Sequence, residues 1–385
     1  MEYVKLEEIC TIVSGGTPSR SKPNYWNNGN IPWIKIKDMK SKYIDSAEEF
    51  ITEEGLNNSS TKMLKSDTIL YSIFATLGEV GILKIDACTN QAIAGLSLKE
   101  DSNILKEYLY YYLKSKKKDV NNLGRGVAQN NINLSLLRKF KIPVMPLHQQ
   151  EKIVEVLDNV SSTMNNYERE LELLDELVKA RFVEMFGDVQ EAKKYGGKQL
   201  KDICNTVTGG TPSTKHADYY NGTIPWISTV SLGPNYIDGT TAKAFITQEA
   251  VNNSSTKIIP SGSILFGTRV GVGKSSINQV EMCTNQDIVA IIDLDESKYN
   301  KLYIKYVLDT YQSYFNSIKK GATILGISSD DLKNVYIPEA TLYNQNRFEK
   351  FVQEIDKSRL LNICLKSLME FVLKFRIFSK YKKSS

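Results

Sequence analysis

"KLEEICTIVSGGTPS", Lys5 to Ser19, is followed 194 residues later by "QLKDICNTVTGGTPS", Gln199 to Ser213, and the two agree at 9 of 15 positions. Chance does not produce such a match, so the fold turns on an internal repeat. At an offset of 195, "NNSSTK" (Asn57 to Lys62) recurs as Asn252 to Lys257 and "CTNQ" (Cys88 to Gln91) as Cys283 to Gln286. Gly126 falls on Gly321, Ile142-Pro143 on Ile337-Pro338 and Gln150 on Gln345. The unit of about 190 residues is far longer than a solenoid repeat. A chain of 385 residues suits two domains, each able to bury its own core.

Each copy has two parts. The first alternates β-branched and aromatic runs with turn clusters: "IPWIKI", "DTILYSIFATLG" and "KFKIPV" in one copy, "IPWIST", "GSILFGTRVG" and "NVYIPE" in the other. One helical stretch, Ile104 to Lys117 and its twin Leu302 to Tyr314, interrupts the strands, which predicts an α+β class. The second part is a long helix. Gln149 to Phe186 lacks glycine and proline, and apolar residues recur in four-three spacing at Ile153, Leu157, Val160, Met164, Tyr167, Leu171, Leu174 and Val178. Gly187 stops it, and its 38 residues would span about 57 Å. The second copy, Asn344 to about Tyr381, carries Phe348, Val352, Ile355, Leu361, Leu365, Leu368, Val372 and Phe375, with a shift of phase after Ile355. Two matching long helices are expected to pair with each other as an antiparallel coiled coil about an approximate two-fold axis. Two-fold proteins place two readers at a fixed separation on duplex DNA.

Composition narrows the chemistry. Hydrophobic content of 41% and charged content of 24% are those of a globular protein. No apolar run approaches the roughly 20 residues of a membrane helix, and Met1-Glu2-Tyr3 opens no signal peptide, so no membrane association and a cytoplasmic location are expected. Five cysteines without a C-x-x-C pair, and only His148 and His216, predict neither a zinc site, a disulfide framework nor a histidine triad. A net charge of +5 is mildly basic. Basic residues cluster in "KSKKKDVNNLGRG" (Lys114 to Gly126) and at Lys319 and Lys320 of "IKKGAT", places that correspond between the copies.

Several stretches imitate catalytic motifs. "GTRVGVGKSS" (Gly267 to Ser276) nearly spells a Walker A loop, but Thr268 stands where the first glycine belongs and the first copy has no lysine there. It reads as a glycine-bearing turn carrying Arg269 and Lys274 toward DNA, where arginine suits bidentate contact to guanine. "NIPW" (Asn30 to Trp33) is a poor match to the N-P-P-[FY] of amino-methyltransferases, and its twin is "TIPW". Trp33 and Trp226 therefore read as core anchors. The glutamates Glu53-Glu54 and the aspartates Asp330-Asp331 read as helix-start or surface residues.

The twice-used GGTPS turn followed by I-P-W, together with "RGVAQNNINLSLLRKFKIPVMPLHQQEKIVEVLD" from Arg125 to Asp158, resembles the specificity subunit of Type I restriction-modification enzymes, over the whole chain. The resemblance implies two homologous strand-rich target recognition domains at 1–148 and 189–342, each reading half of a split double-stranded DNA target. Spacer helices at 149–188 and 343–385 set the gap. It implies no catalysis on this chain. Two modification subunits would bind S-adenosylmethionine and methylate adenine, and restriction subunits would use ATP and Mg to translocate and cut. The second copy departs from the pattern where Gln129 falls on Ile324, Pro146 on Thr341 and "QQEKIV" on "NQNRFE".

Two readers of different half-sites must differ where they touch bases, so DNA contacts are expected at polar positions that diverge within a kept framework. Lys35 and Lys37 fall opposite Ser228 and Val230, while Arg125, Gln129 and Asn130 fall opposite Lys320, Ile324 and Leu325. These residues, with Arg269, Lys274, Lys319 and Lys320, are the candidates. The competing readings are a methyltransferase with unrecognised motifs and a coiled-coil scaffold that reads no DNA. GGTPS itself reads as a turn built on glycines at φ > 0 and stiffened by Pro18 and Pro212, with hydroxyls able to reach phosphate.

Overall fold

The computed structural model describes residues 2–124, 131–321 and 325–375. Contacts divide the chain into two compact units, Met1–Arg169 with Ile363–Ser385, and Glu170–Asn362. Each unit therefore combines one strand-rich domain with parts of both long helices, a grouping that a linear partition of the sequence does not express.

In the first unit, strand Glu2–Lys5 pairs antiparallel with Lys141–Val144 and ties the start of the domain to its end. The main sheet has the order Cys10–Ser14, Ile93–Leu98, Ile69–Ser72, Val80–Leu83 and Tyr43–Ile44. A smaller sheet runs Glu49–Ile51, Ile31–Ile34, Cys88–Thr89, with Trp33 in parallel register opposite Cys88. Strands Ile69–Ser72 and Val80–Leu83 are buried at every position, which explains why they are written as continuous apolar runs and not as an alternation. The second unit repeats this plan. Its five-stranded sheet runs Asn205–Thr208, Ile288–Ile292, Ile264–Gly267, Ser275–Asn278 and Tyr236–Ile237. Its smaller sheet gains a fourth strand, Ile258–Ile259, and keeps Trp226 in parallel register opposite Cys283.

The helical stretch predicted from Ile104 to Lys117 forms as Lys106–Ser115, and all six residues from Tyr108 to Leu113 are buried. It ends where the Lys116 N–H donates to the Leu113 carbonyl, and a second helix, Lys117–Gly124, follows. The twin is Lys301–Thr310, capped by the Asn300 side chain, followed by Gln312–Ser317. Within it Lys305 is only 3% exposed and bonds Asp309 at 2.7 Å, so its charge is buried with a partner.

The first long helix runs from Leu147 to Phe186, 40 residues or about 60 Å. Gly187 ends it at φ 71, donating its N–H to the Val183 carbonyl at 2.8 Å, a left-handed stop that favours glycine. Helix starts are latched identically in the two copies. The Gln150 side chain, fully buried, accepts from the Leu105 N–H and donates to the carbonyls of Asn103 and Met145, all at 2.7 to 2.8 Å. Gln345 accepts from the Asn300 N–H at 2.7 Å and donates to the carbonyls of Lys298 and Ala340. That shared role explains why glutamine recurs at this point of the repeat.

Along the first helix every residue of the expected stripe is sheltered. Ile153 and Leu157 join the core of the first domain, Val178 joins that of the second, and Val160, Met164, Tyr167, Leu171 and Leu174 are half-buried. On the second long helix, Leu342–Phe375, the structure departs from the expected stripe. Ile355 and Leu365 are half-buried, but Leu361 is 59% and Leu368 60% exposed. The phase does not shift after Ile355. Four-three spacing continues through Arg359, Asn362, Lys366 and Met369, all sheltered, so polar side chains take seam positions and the leucines beside them turn outward.

Inside the second unit those polar positions meet the first long helix running antiparallel. Arg359 bonds Asp175 at 2.5 Å and Asp356 at 2.9 Å, Asn362 donates to Glu170 at 3.0 Å, and Phe348 packs edge-on against Phe182 at 5.3 Å. As numbers fall along one helix they rise along the other. Inside the first unit Lys366 bonds Glu168 at 2.7 Å. The side chains of Val372 and Phe375 lie outside the described residues.

Candidate nucleic-acid interface

The repeated motifs converge on one knot in each domain. Gly15 N–H donates to the Ile93 carbonyl at 3.1 Å, Gly16 N–H to the Thr89 carbonyl at 2.9 Å, and the buried Trp33 indole N–H to the Gly16 carbonyl at 3.0 Å. In the second domain Gly209 donates to Ile288 at 3.0 Å, Gly210 to Thr284 at 2.8 Å and the Trp226 indole to Gly210 at 3.0 Å. None of these four glycines takes a positive φ, contrary to the expectation from sequence. Glycine is needed for close approach: a Cβ on Gly15 or Gly209 would collide with the carbonyl oxygen of Asn90 or Asn285. One on Gly16 or Gly210 would collide with the Ser60-Thr61 or Ser255-Thr256 backbone. GGTPS, NNSSTK, CTNQ and I-P-W therefore recur together because they are parts of one packed object, with both tryptophans as its core anchors.

The knot supports an exposed rim. Thr17 donates to the Gln91 side chain, and Thr211 to that of Gln286, all four residues exposed. Directly after each glutamine the chain is bonded to the hairpin between two strands of the main sheet. Ile73 N–H donates to the Ala92 carbonyl, and Thr268 N–H to the Asp287 carbonyl, both at 2.8 Å.

At this rim the second domain gathers several candidate residues. Arg269 sits on the hairpin with its side chain 53% exposed and lies 3.5 Å from Asp287, whose other oxygen accepts from Asn285 at 3.1 Å. Gly326 lies directly against Arg269, and its backbone exchanges two hydrogen bonds with Lys320 at 2.8 and 3.0 Å. Lys320 and Lys274 are exposed, while Lys319 is half-buried. The near-Walker segment is this hairpin turn. Lys274 leads straight into strand Ser275–Asn278, whereas a phosphate-cradling loop opens a helix.

In the first domain the candidates are differently placed. Arg125, Gln129 and Asn130 lie outside the described residues. Lys35 and Lys37 belong to an ion-pair cluster: Arg20 and Lys35 on Glu49, Lys35 and Lys37 on Glu48. The Lys37 hydrogen bond holds the Glu48 carboxyl below its ordinary range and raises Lys37 in turn. For Glu49, burial pushes the carboxyl up, but the bonds from Lys35 and Arg20 outweigh it and the net shift is down. DNA phosphates would have to compete with these carboxylates. Of the basic run, Lys116 and Lys117 are likewise paired, with Asp119 at 3.2 Å and Glu79 at 2.5 Å.

Sequence reasoning missed Phe74. It occupies the hairpin position of Arg269 at the 195-residue offset, it is 42% exposed, and it forms a backbone bridge with Asn131. A phenylalanine inside "YSIFATLG" looks like a strand core residue; only alignment of the copies would have set it opposite an arginine. The exposed Thr17–Gln91 pair was also missed, although CTNQ recurs.

Other chemistry has little material. Burial raises the Cys10 and Cys204 thiols to about 12 and Cys283 to about 11, so none of them is a ready nucleophile. Among the described residues no group of three or more His, Cys, Asp or Glu side chains could hold a metal ion, and no helix is long and apolar enough to cross a membrane.

Comparisons with known proteins fit the duplicated plan. The model of the Type I restriction modification DNA specificity domain matches the chain twice, over residues 1–175 and 193–366. The Type I restriction enzyme MjaVIII specificity subunit of Methanocaldococcus jannaschii is 20% identical over 383 residues, covering 92% of this chain and 86% of that protein. A Type I restriction enzyme specificity subunit of Escherichia coli is 36% identical over 183 residues, or 45% of each chain, so the match spans about half the length of that relative. The S subunit of a Type I restriction-modification system from M. genitalium shares the fold, with a TM-score of 0.51, 14% identity, and coverage of 97% of this chain and 95% of that one. A structure from work on complex assembly and conformational transition of the type I R-M system has a TM-score of 0.57, 16% identity and similar coverage. With two copies of one packed knot, and a family model that falls once on each, the chain belongs to the Type I restriction modification DNA specificity domain family.

Proposed function

We propose that this chain is the noncatalytic DNA-reading subunit of a Type I restriction-modification system, one strand-rich domain facing each half of a split target. The observation that carries the reading is the contrast within the repeat. The buried knot is the same in both domains, while the exposed hairpin residue beside it is Phe74 in one and Arg269 in the other. A scaffold would need the shared part alone; two readers of unlike half-sites need both. Adenine methylation and restriction would belong to modification and restriction subunits, which would hold S-adenosylmethionine, ATP and Mg, in the cytoplasm.

Methylated adenines mapped genome-wide with and without this gene test the reading. Loss of one split, asymmetric motif is expected, and an unchanged methylome with active partners present contradicts it. The enzyme alternative predicts that the purified chain binds S-adenosylmethionine; no binding is expected. The scaffold alternative predicts assembly whose DNA affinity is indifferent to salt, whereas contacts to phosphates make affinity fall steeply as salt rises.

A further inference from the structure

The two domains place different chemistry at the same point of the same framework. In the first, Ile73 N–H donates to the Ala92 carbonyl and the Ile73 carbonyl accepts from Ile132 N–H at 2.9 Å. In the second, Thr268 N–H donates to the Asp287 carbonyl and the Thr268 carbonyl accepts from Ile327 N–H at 2.8 Å. These ladders correspond residue for residue, so Phe74 and Arg269 leave the framework at the same place, beside the Thr–Gln pair of the rim.

Phe74 does not face outward for want of a core. Ile73 is only 3% exposed and strand Ile69–Ser72 before it is fully buried, yet the next side chain is turned into solvent. The residue that follows, Ala75, is held at φ 61, a left-handed conformation that costs a non-glycine residue free energy. A ring left 42% exposed beside a residue in that conformation is available to a bound partner. Arg269, in turn, is backed by Asp287, which orients the guanidinium without covering it.

Resting on the reading that each domain faces a half-target, we propose that Phe74 and Arg269 are the corresponding specificity-determining residues of the two domains. Phe74 makes apolar contact with the 5-methyl group of a thymine in one half, and Arg269 makes paired hydrogen bonds to O6 and N7 of a guanine in the other. Both are major-groove features that distinguish one base pair from the rest.

The test uses the full chain assembled with its modification subunits, and duplexes carrying the target mapped from the wild-type methylome. Each thymine is replaced singly by deoxyuridine, which keeps base pairing and removes only the methyl group. One replacement, in one half, should weaken wild-type binding about 3- to 5-fold, as expected for one buried methyl group. Phe74→Ala should bind the two duplexes equally, and Phe74→Leu should retain part of the discrimination. In the other half, one guanine replaced by 7-deazaguanine should weaken the wild type about 10-fold and leave Arg269→Ala indifferent. A wild-type complex that selects its target yet ignores every deoxyuridine, or a Phe74→Ala complex that still senses the same methyl, overturns the assignment and leaves DNA reading intact. A complex without sequence preference removes both.

Discussion

The first and second domains are the same below the surface and different at one edge. Below, Gly15-Gly16 and Gly209-Gly210 make matching hydrogen bonds within 0.1 Å of each other, and Gln150 and Gln345 make the same three bonds. At the edge, Phe74 corresponds to Arg269, Asn131 to Gly326, and Ala92 to Asp287. The difference teaches where selection acts within a duplicated chain. Positions whose atoms touch on all sides cannot drift independently in either copy, whereas a side chain with half its surface in solvent can change from ring to guanidinium without disturbing the fold.

The largest effect that could break this comparison is a methyl group on a knot glycine. Gly15→Ala and Gly209→Ala should each lower the stability of the unit that contains them by about 3 kcal/mol, read by thermal unfolding followed by hydrogen exchange in each unit. A cost in one domain only would show that the knots are not equivalent. Next, Gln150→Ala and Gln345→Ala should each cost about 2 kcal/mol, because a backbone N–H and carbonyls are left buried without partners. Equal losses would sharpen the comparison; a neutral substitution at either site would remove the latch from it. Along the second helix, Val352→Ala should cost about 2 kcal/mol, while Leu361→Ser and Leu368→Ser should stay within about 0.5 kcal/mol. A large cost at Leu361 would restore the stripe expected from sequence.

The smallest effect concerns the thiols. At pH 8 an aromatic disulfide should label exposed Cys364 in the native chain and reach Cys10 and Cys283 only on unfolding. Burial raises the latter two, so above about pH 9 the unfolded chain releases protons that the folded chain keeps, and stability falls as pH rises. Rapid native labelling of Cys10 or Cys283 would contradict their burial.

Much of this was legible because the chain states it twice. The repeat located both domains, the glycine-free stretches located both long helices, and the paired I-P-W motifs located both anchoring tryptophans. What stayed hidden did so for physical reasons. Apolar periodicity passes over Arg359 and Asn362, since a polar residue at a seam position is recognised only by the Asp175 and Glu170 it meets. Exposure is no property of a residue type, so Phe74 passed unnoticed within a strand-like run. The reason for the glycines was also hidden, because a close approach and a left-handed turn select the same residue. Lys35 and Lys37 diverge between the copies as expected of contact residues, but sequence did not reveal the glutamates that hold them.

The most direct test of two independent readers in one chain is an exchange of residues 1–148 for the corresponding domain of another family member, followed by genome-wide mapping of methylated adenines. One half of the split motif should change, and the other half, read by the domain that carries Arg269, should stay as it was. A motif that changes in both halves, or in neither, would contradict the division of reading between the two domains.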